Sequence, residues 1–126
     1  MSEGGEPANL AGASILVIED EMLITMLLED ILDELGCRVA GSAVNLRQAE
    51  ELVVATPADA AILDVNLGGD PVFPVAELLA ERNVPIIFAS GYGASGLPEQ
   101  WQSYATLPKP FTADQVETAL RRVLRR

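Results

Sequence analysis

The chain has 126 residues and a mass of 13.4 kDa, the size of one ordinary domain, and 49% apolar with 21% charged residues is a globular composition. Its longest apolar run, Met22 to Leu28, falls well short of the roughly 18 residues of a membrane-spanning helix, and a net charge of −11 argues against nonspecific binding to nucleic acid. A single cysteine, Cys37, excludes an internal disulfide, and the lack of histidine excludes Ser-His-Asp, Cys-His and zinc chemistry, so any metal should be a hard, oxygen-bound cation such as magnesium or calcium.

Met1 to Asn9 contains Glu3 and Glu6 and no basic residue, unlike a signal or transit peptide, and a cytoplasmic location is expected. Residues 1–13 lack an apolar period and are expected to form a disordered tail before a domain over 14–126. Ile15-Leu16-Val17-Ile18 reads as a strand buried on both faces, ending in Glu19-Asp20-Glu21. Ile24, Leu27, Leu28, Ile31 and Leu35 then form a helical stripe that stops at Gly36, a C′ residue.

A second strand spans about 38–42, and Asn45, with Gln48 three residues on, caps a helix to about Ala55. Ala60-Ala61-Ile62-Leu63 is a third strand that runs into Asp64 and the loop Asn66-Leu67-Gly68-Gly69. Pro71 and Pro74 blur the start of a helix placed at about 72–82. The fourth strand, Pro85 to Ala89, leads to Ser90 and a glycine-rich mobile loop to Gly96, then a short helix near Pro98 to Gln102. A fifth strand, Tyr104 to Leu107, precedes Pro108-Lys109-Pro110, and Thr112 with Gln115 forms a capping box for the last helix. Five strands alternating with five helices describe a doubly wound α/β domain with a parallel sheet.

In such sheets ligands collect at the carboxyl ends of the strands. Those ends carry Glu19, Asp20 and Glu21, then Asp64, Ser90 and Lys109. Neighbouring first and third strands would bring several carboxylates into one crevice, where each like-charged pair at ~4 Å costs about 1–4 kcal/mol and calls for a cation. Lys109 is the only lysine; the other seven basic residues are arginines. A nucleophilic carboxylate at Asp64, a metal site at Glu19 and Asp20, a hydroxyl at Ser90 and an ammonium at Lys109 together make a phosphoryl-acceptor site.

These residues, in this order and spacing from Ser14 to Arg126, resemble the response-regulator receiver domains of two-component signalling. The resemblance implies a flavodoxin-like (βα)5 fold with strand order 2-1-3-4-5 and a Mg²⁺ cofactor. It implies Asp64 as phosphoacceptor, Glu19 and Asp20 as acidic magnesium ligands, Asn66 as a ligand through its backbone carbonyl, Ser90 as switch hydroxyl and Lys109 as phosphate contact. It also implies a cis Lys109-Pro110 peptide and a histidine kinase or phosphotransfer protein as phosphodonor. Phe88-Ala89-Ser90-Gly91-Tyr92-Gly93 and Asp64-Val65-Asn66-Leu67-Gly68-Gly69 resemble the FATGUY subclass. Thr106 stands where most receivers carry an aromatic switch residue; Tyr104, two residues earlier, and Tyr92 are the candidate substitutes.

Met22 and Met26, at i and i+4 beside the site, are either core or a docking surface for a helical phosphodonor. Gly91 to Gly96 also satisfies G-x-G-x-x-G, a dinucleotide-binding pattern, but it follows the fourth strand and Pro98 interrupts the helix that pattern requires. An aspartate-based phosphohydrolase would need an acid at position 66 to protonate a leaving group, and Asn66 is not one. The expected protein is a stand-alone, non-enzymatic response regulator that signals by protein–protein contact or phosphate shuttling, with no membrane or direct nucleic-acid partner. A receiver-fold binding module acting without phosphorylation is the alternative.

Overall fold

The computed structural model describes residues 10–124. β1 (Ser14–Ile18), β2 (Arg38–Ala43), β3 (Ala60–Asp64), β6 (Ile86–Ser90) and β7 (Ala105–Pro108) form a parallel sheet in the order β2-β1-β3-β6-β7. With the two short hairpin strands left out of the count, this is the expected order 2-1-3-4-5. β1, β3 and β6 are buried along their whole length, because apolar layers cover both faces. One layer joins Ile15, Val17, Ile62 and Ile87 to α1 (Met22–Glu34) and α4 (Ala113–Val123); the other joins Leu16, Leu63 and Phe88 to α2 (Leu46–Ala55) and α3 (Phe73–Glu81).

The local signals act as their chemistry dictates. Gly36, at φ +84°, ends α1: its N–H bonds to Asp33 and the N–H of Cys37 reaches back to Leu32, which satisfies the last carbonyls of the helix. Asn45 Oδ1 accepts the Gln48 N–H at 2.9 Å, while the Gln48 side chain reaches one residue beyond the cap, to the N–H of Val44. At α4 the capping box is complete, with Thr112 Oγ1 accepting from Gln115 N–H and Gln115 Oε1 from Thr112 N–H. The Lys109-Pro110 peptide is cis, as expected.

Several expectations are corrected. Only four α-helices form among the described residues; between β6 and β7 the chain makes two 3₁₀ turns, Gly93–Gly96 and Glu99–Trp101. Three glycines and Pro98 deny this stretch a helical core, and Trp101 instead anchors it as a plug stacked at 6.1 Å on Phe73 and edge-on to Phe88 and Tyr104. The loop after Asp64 is a hairpin, β4 (Asn66–Leu67) with β5 (Asp70–Pro71), turned by Gly68 and Gly69 at φ +59° and +100°. Positive φ at both turn positions is the hairpin geometry that glycine supplies without strain.

The expected tail also shortens. Leu10 is buried, its carbonyl accepts from Ala13 N–H, and Gly12 N–H bonds to Gly36, so residues 10–13 belong to the folded body. The remainder of that expectation, residues 1–9, lies outside the described residues. On α1, Leu27 is 46% exposed rather than part of a buried stripe. No helix among the described residues is long and apolar enough to cross a membrane.

Candidate functional site

The parallel register brings the carboxyl ends of β1, β3, β6 and β7 to one edge of the sheet, with Ile18 beside Leu63, Asp64 beside Ala89 and Ser90 beside Pro108. Glu19 and Asp20 follow β1, and one carboxylate oxygen from each of Glu19, Asp20 and Asp64 lies within 4.8 Å of the others. Lys109, delivered by the loop after β7, places Nζ 3.2 Å from Glu19 Oε1, 3.4 Å from Asp64 Oδ2 and 3.9 Å from Glu21 Oε1. Five residues separated by up to 90 positions thus converge on a volume that no single segment could build.

The electrostatics follow from burial. Glu19 is only 2% exposed. Burial pushes its carboxyl up from an ordinary 4.5 to about 7, and the neighbouring charge of Asp64 adds to the rise, while the Glu21 N–H and the Lys109 ammonium pull it back. Burial alone would lower the Lys109 ammonium, but the carboxylates of Glu19 and Asp64 outweigh it and hold the group above its usual range. The ammonium therefore stays charged and still leaves the cluster short of positive charge.

That shortfall is the test of whether a metal fits. The ligand set is all carboxylate oxygen, close-set and under-neutralised, which suits a hard divalent cation such as Mg²⁺. Asn66 follows the cluster by two residues; its N–H donates to Asp64 Oδ1 at 3.3 Å, and its side-chain oxygen accepts Gly69 N–H at 2.7 Å.

On the other side, Ser90 is nearly buried and its Oγ accepts the N–H of Tyr92 at 3.1 Å. Tyr92 is 83% exposed at the head of the 3₁₀ segment. Thr106 pairs with Phe88 across the sheet and lines a groove of about 290 Å³ between β7 and α4. Tyr104 is half-buried among Trp101 and Phe88, with ring centroids 5.0 and 5.9 Å away. Met22 and Met26 are surface residues, and with Leu23 and Leu27 they give the first half of α1 an exposed apolar face.

Two contributors escaped the sequence reading. Leu23 was not singled out, because the helical stripe was drawn through Ile24. Gly68, whose N–H donates to Asp20 Oδ2 at 3.0 Å, was read as loop, although a Gly-Gly pair between Leu67 and Asp70 is itself a hairpin signal.

The fold and this strand-end cluster are those of a signalling receiver domain. The chain matches the response regulator receiver domain family over residues 15–121 and belongs to it. It is 35% identical over 124 residues to the transcriptional regulatory protein TcrA of Mycobacterium tuberculosis, which covers 93% of this chain and 48% of TcrA. With PdtaR of the same species it shares 30% identity over 110 residues, covering 84% and 54%. The chain spans about half the length of these curated relatives.

Among solved structures it is similar to SdrG from Sphingomonas melonis Fr1, at 42% identity and a TM-score of 0.80 over 90% of this chain and 97% of SdrG. The PhyR receiver domain of Erythrobacter litoralis gives 32% and 0.79, over 90% and 91%. The receiver domain of PA1611 from Pseudomonas aeruginosa, described with a magnesium ion coordinated in the active site cleft, gives 25% and 0.73, over 90% and 98%. The likeness to SdrG agrees with the FATGUY reading of the sequence.

Proposed function

We propose that this domain accepts a phosphoryl group on Asp64 from a histidine kinase or phosphotransfer protein, in a Mg²⁺-dependent reaction, and passes the signal on by protein–protein contact or phosphate shuttling. The observation that carries the reading is the single lysine of the chain bridging Glu19 and Asp64 at 3.2 and 3.4 Å. An ammonium on a flexible stem is a point charge that can leave two carboxylates for the oxygens of an incoming phosphoryl group.

Asp64, its side chain 12% exposed, is accessible from the crevice; its carboxylate oxygen forms the new O–P bond as the donor's N–P bond breaks, and the departing imidazole keeps the electron pair. Lys109 neutralises charge on the transferring group, and the Ser90 hydroxyl is the donor placed to follow a new phosphoryl oxygen. Glu19, Asp20, Asp64 and the Asn66 carbonyl would hold Mg²⁺, which when bound neutralises the remaining phosphoryl charge. Asn66 offers no acidic proton to a leaving group, so turnover of phosphate esters should be negligible and the aspartyl phosphate should hydrolyse slowly. Tyr92, Thr106 and Tyr104 line the route by which Ser90 would communicate with the last strand, and the exposed Met22 and Met26 suit docking of a helical donor.

The test is intact-protein mass after incubation with acetyl phosphate, with and without Mg²⁺. A Mg²⁺-dependent gain of one phosphoryl group that Asp64→Asn abolishes is expected. No gain from folded protein that binds Mg²⁺ would overturn the reading in favour of a binding module that acts without phosphorylation.

A further inference from the structure

The hairpin that follows Asp64 ends directly on the acidic cluster. Among the described residues, Lys109 lies within ion-pair range of Glu19, Glu21 and Asp64, whereas Asp20 accepts a hydrogen bond from the backbone of Gly68, 48 residues away, at 3.0 Å. Asp20 is also the exposed member of the three-carboxylate group. An exposed carboxylate on a loop samples several rotamers, and fixing one of them costs entropy. A bond from a fixed N–H meets that cost before any cation arrives, and it leaves Oδ1 without this donor.

The donor is well held. Gly68 and Gly69 form the two-residue turn, the Gly69 N–H closes on Asn66 Oδ1 at 2.7 Å, and the strands pair Asn66 with Pro71 and Leu67 with Asp70. Leu67 and Val72 are buried, and the Val72 N–H bonds to Val65, so the hairpin is rooted in the core at both ends. The dihedrals at 68 and 69 also explain why this turn needs glycine: φ of +59° and +100° would strain nearly any other residue.

From this we infer that the β4–β5 hairpin is a positioning device for the metal site, with Gly68 N–H setting the Asp20 carboxylate and Asn66, whose side-chain oxygen accepts the Gly69 N–H, closing the turn that holds Gly68. The inference rests on the Mg²⁺ reading given under Proposed function and deepens it. Leu67, Gly68 and Gly69 become determinants of cation affinity although none contributes a ligand atom of its own.

Two measurements decide it. In metal-free protein, amide hydrogen exchange is followed by NMR in the wild type and in Asp20→Ala, a change at an exposed position that should leave the fold intact. Exchange at Gly68 should quicken by roughly tenfold, the loss of one charge-assisted hydrogen bond, while Gly69, bonded to Asn66, serves as the unmoved reference. Equal Gly68 exchange in the two proteins would overturn the inference.

In the second, Mg²⁺ titration by calorimetry compares the wild type with Asn66→Ala, which removes the side-chain oxygen and keeps the backbone carbonyl. Affinity should fall about fivefold, as expected for one partly exposed bond, and the same substitution placed in Asp20→Ala should leave the residual affinity unchanged. An equal loss in both backgrounds, or no loss in either, would overturn the positioning role alone. Wild-type protein that bound no Mg²⁺ would overturn both the positioning role and the reading it rests on.

Discussion

After β3 the chain leaves the sheet through a hairpin with paired strands, two glycines of fixed dihedral and buried residues at both ends; after β6 it leaves through Gly91 to Gly96, with Tyr92 exposed and only 3₁₀ turns for structure. Both segments border the same crevice. On the proposed function the first carries one metal-ligand position, Asn66, and braces Asp20 through Gly68, a geometry that has to be set before a cation or phosphoryl group arrives. The second follows directly on Ser90 and carries the exposed Tyr92, and on the proposed function it must be able to move once charge changes at Asp64. Backbone hydrogen bonding is dense where geometry has to be held and sparse where it has to be exchanged.

The sharpest way to break this contrast is to loosen the plug that limits the second segment. Trp101→Ala removes a 5%-exposed ring from contact with Phe73, Phe88 and Tyr104, and should cost about 3–5 kcal/mol in urea unfolding followed by circular dichroism. A loss below 1 kcal/mol would mean that the cluster does not anchor the segment.

Lys109→Met tests the junction of the two walls. It leaves Glu19 and Asp64 without their shared counter-charge, and at pH 7.5 should destabilise metal-free protein by roughly 2 kcal/mol, less than a fully buried pair because Lys109 is 19% exposed. The phosphoryl gain from acetyl phosphate should fall sharply as well.

pH isolates the charge on the held side. Glu19 in the folded domain has its carboxyl raised to about 7 from 4.5, so between those values the folded state binds more protons than the unfolded one. Stability contributed by protonated Glu19 is therefore present below pH ~4.5 and lost as pH rises through 7. In EDTA, unfolding free energy should drop by about 2 kcal/mol between pH 5 and 7.5 on this account, and Mg²⁺ should restore it at the higher pH. A flat profile in Glu19→Gln beside a falling one in the wild type would assign the effect.

The smallest expected effect tests the segment after β6. A Cβ on Gly96 would lie 2.7 Å from Tyr92 Cβ and 3.4 Å from Ser90 Oγ, so Gly96→Ala should displace the 93–96 turn. A cost of about 1 kcal/mol is expected, with faster amide exchange confined to residues 91–97; exchange that spreads into β3 or the hairpin would contradict the division drawn here.

The sequence made most of the fold legible because its signals are local. Ile15 to Ile18 and Ala60 to Leu63 are uninterrupted apolar runs ending in carboxylates, and Thr112 with Gln115 caps a helix within four residues. The membership of the candidate site was legible for a related reason, since strand ends in a parallel sheet are forced onto one edge. What stayed hidden depends on contacts between distant residues. The missing helix between β6 and β7 needs the partners of Trp101 to be known, and the burial of Leu10 needs the underside of the sheet. Whether Met22 and Leu27 lie inside or outside depends on how α1 rolls against β1, and apolar residues at helical spacing do not fix that roll when they cover most of the helix.

The burial of Leu10 has a practical side. Leu10 and Leu124 sit in the same apolar layer, the first just ahead of β1 and the second at the close of the helix that runs back from the crevice. Both ends of the described chain therefore emerge from the amino-terminal edge of the sheet. An affinity tag, a surface-immobilisation handle or a fused reporter joined directly at Leu10 or Leu124 would begin at the edge of the sheet opposite the acidic pocket.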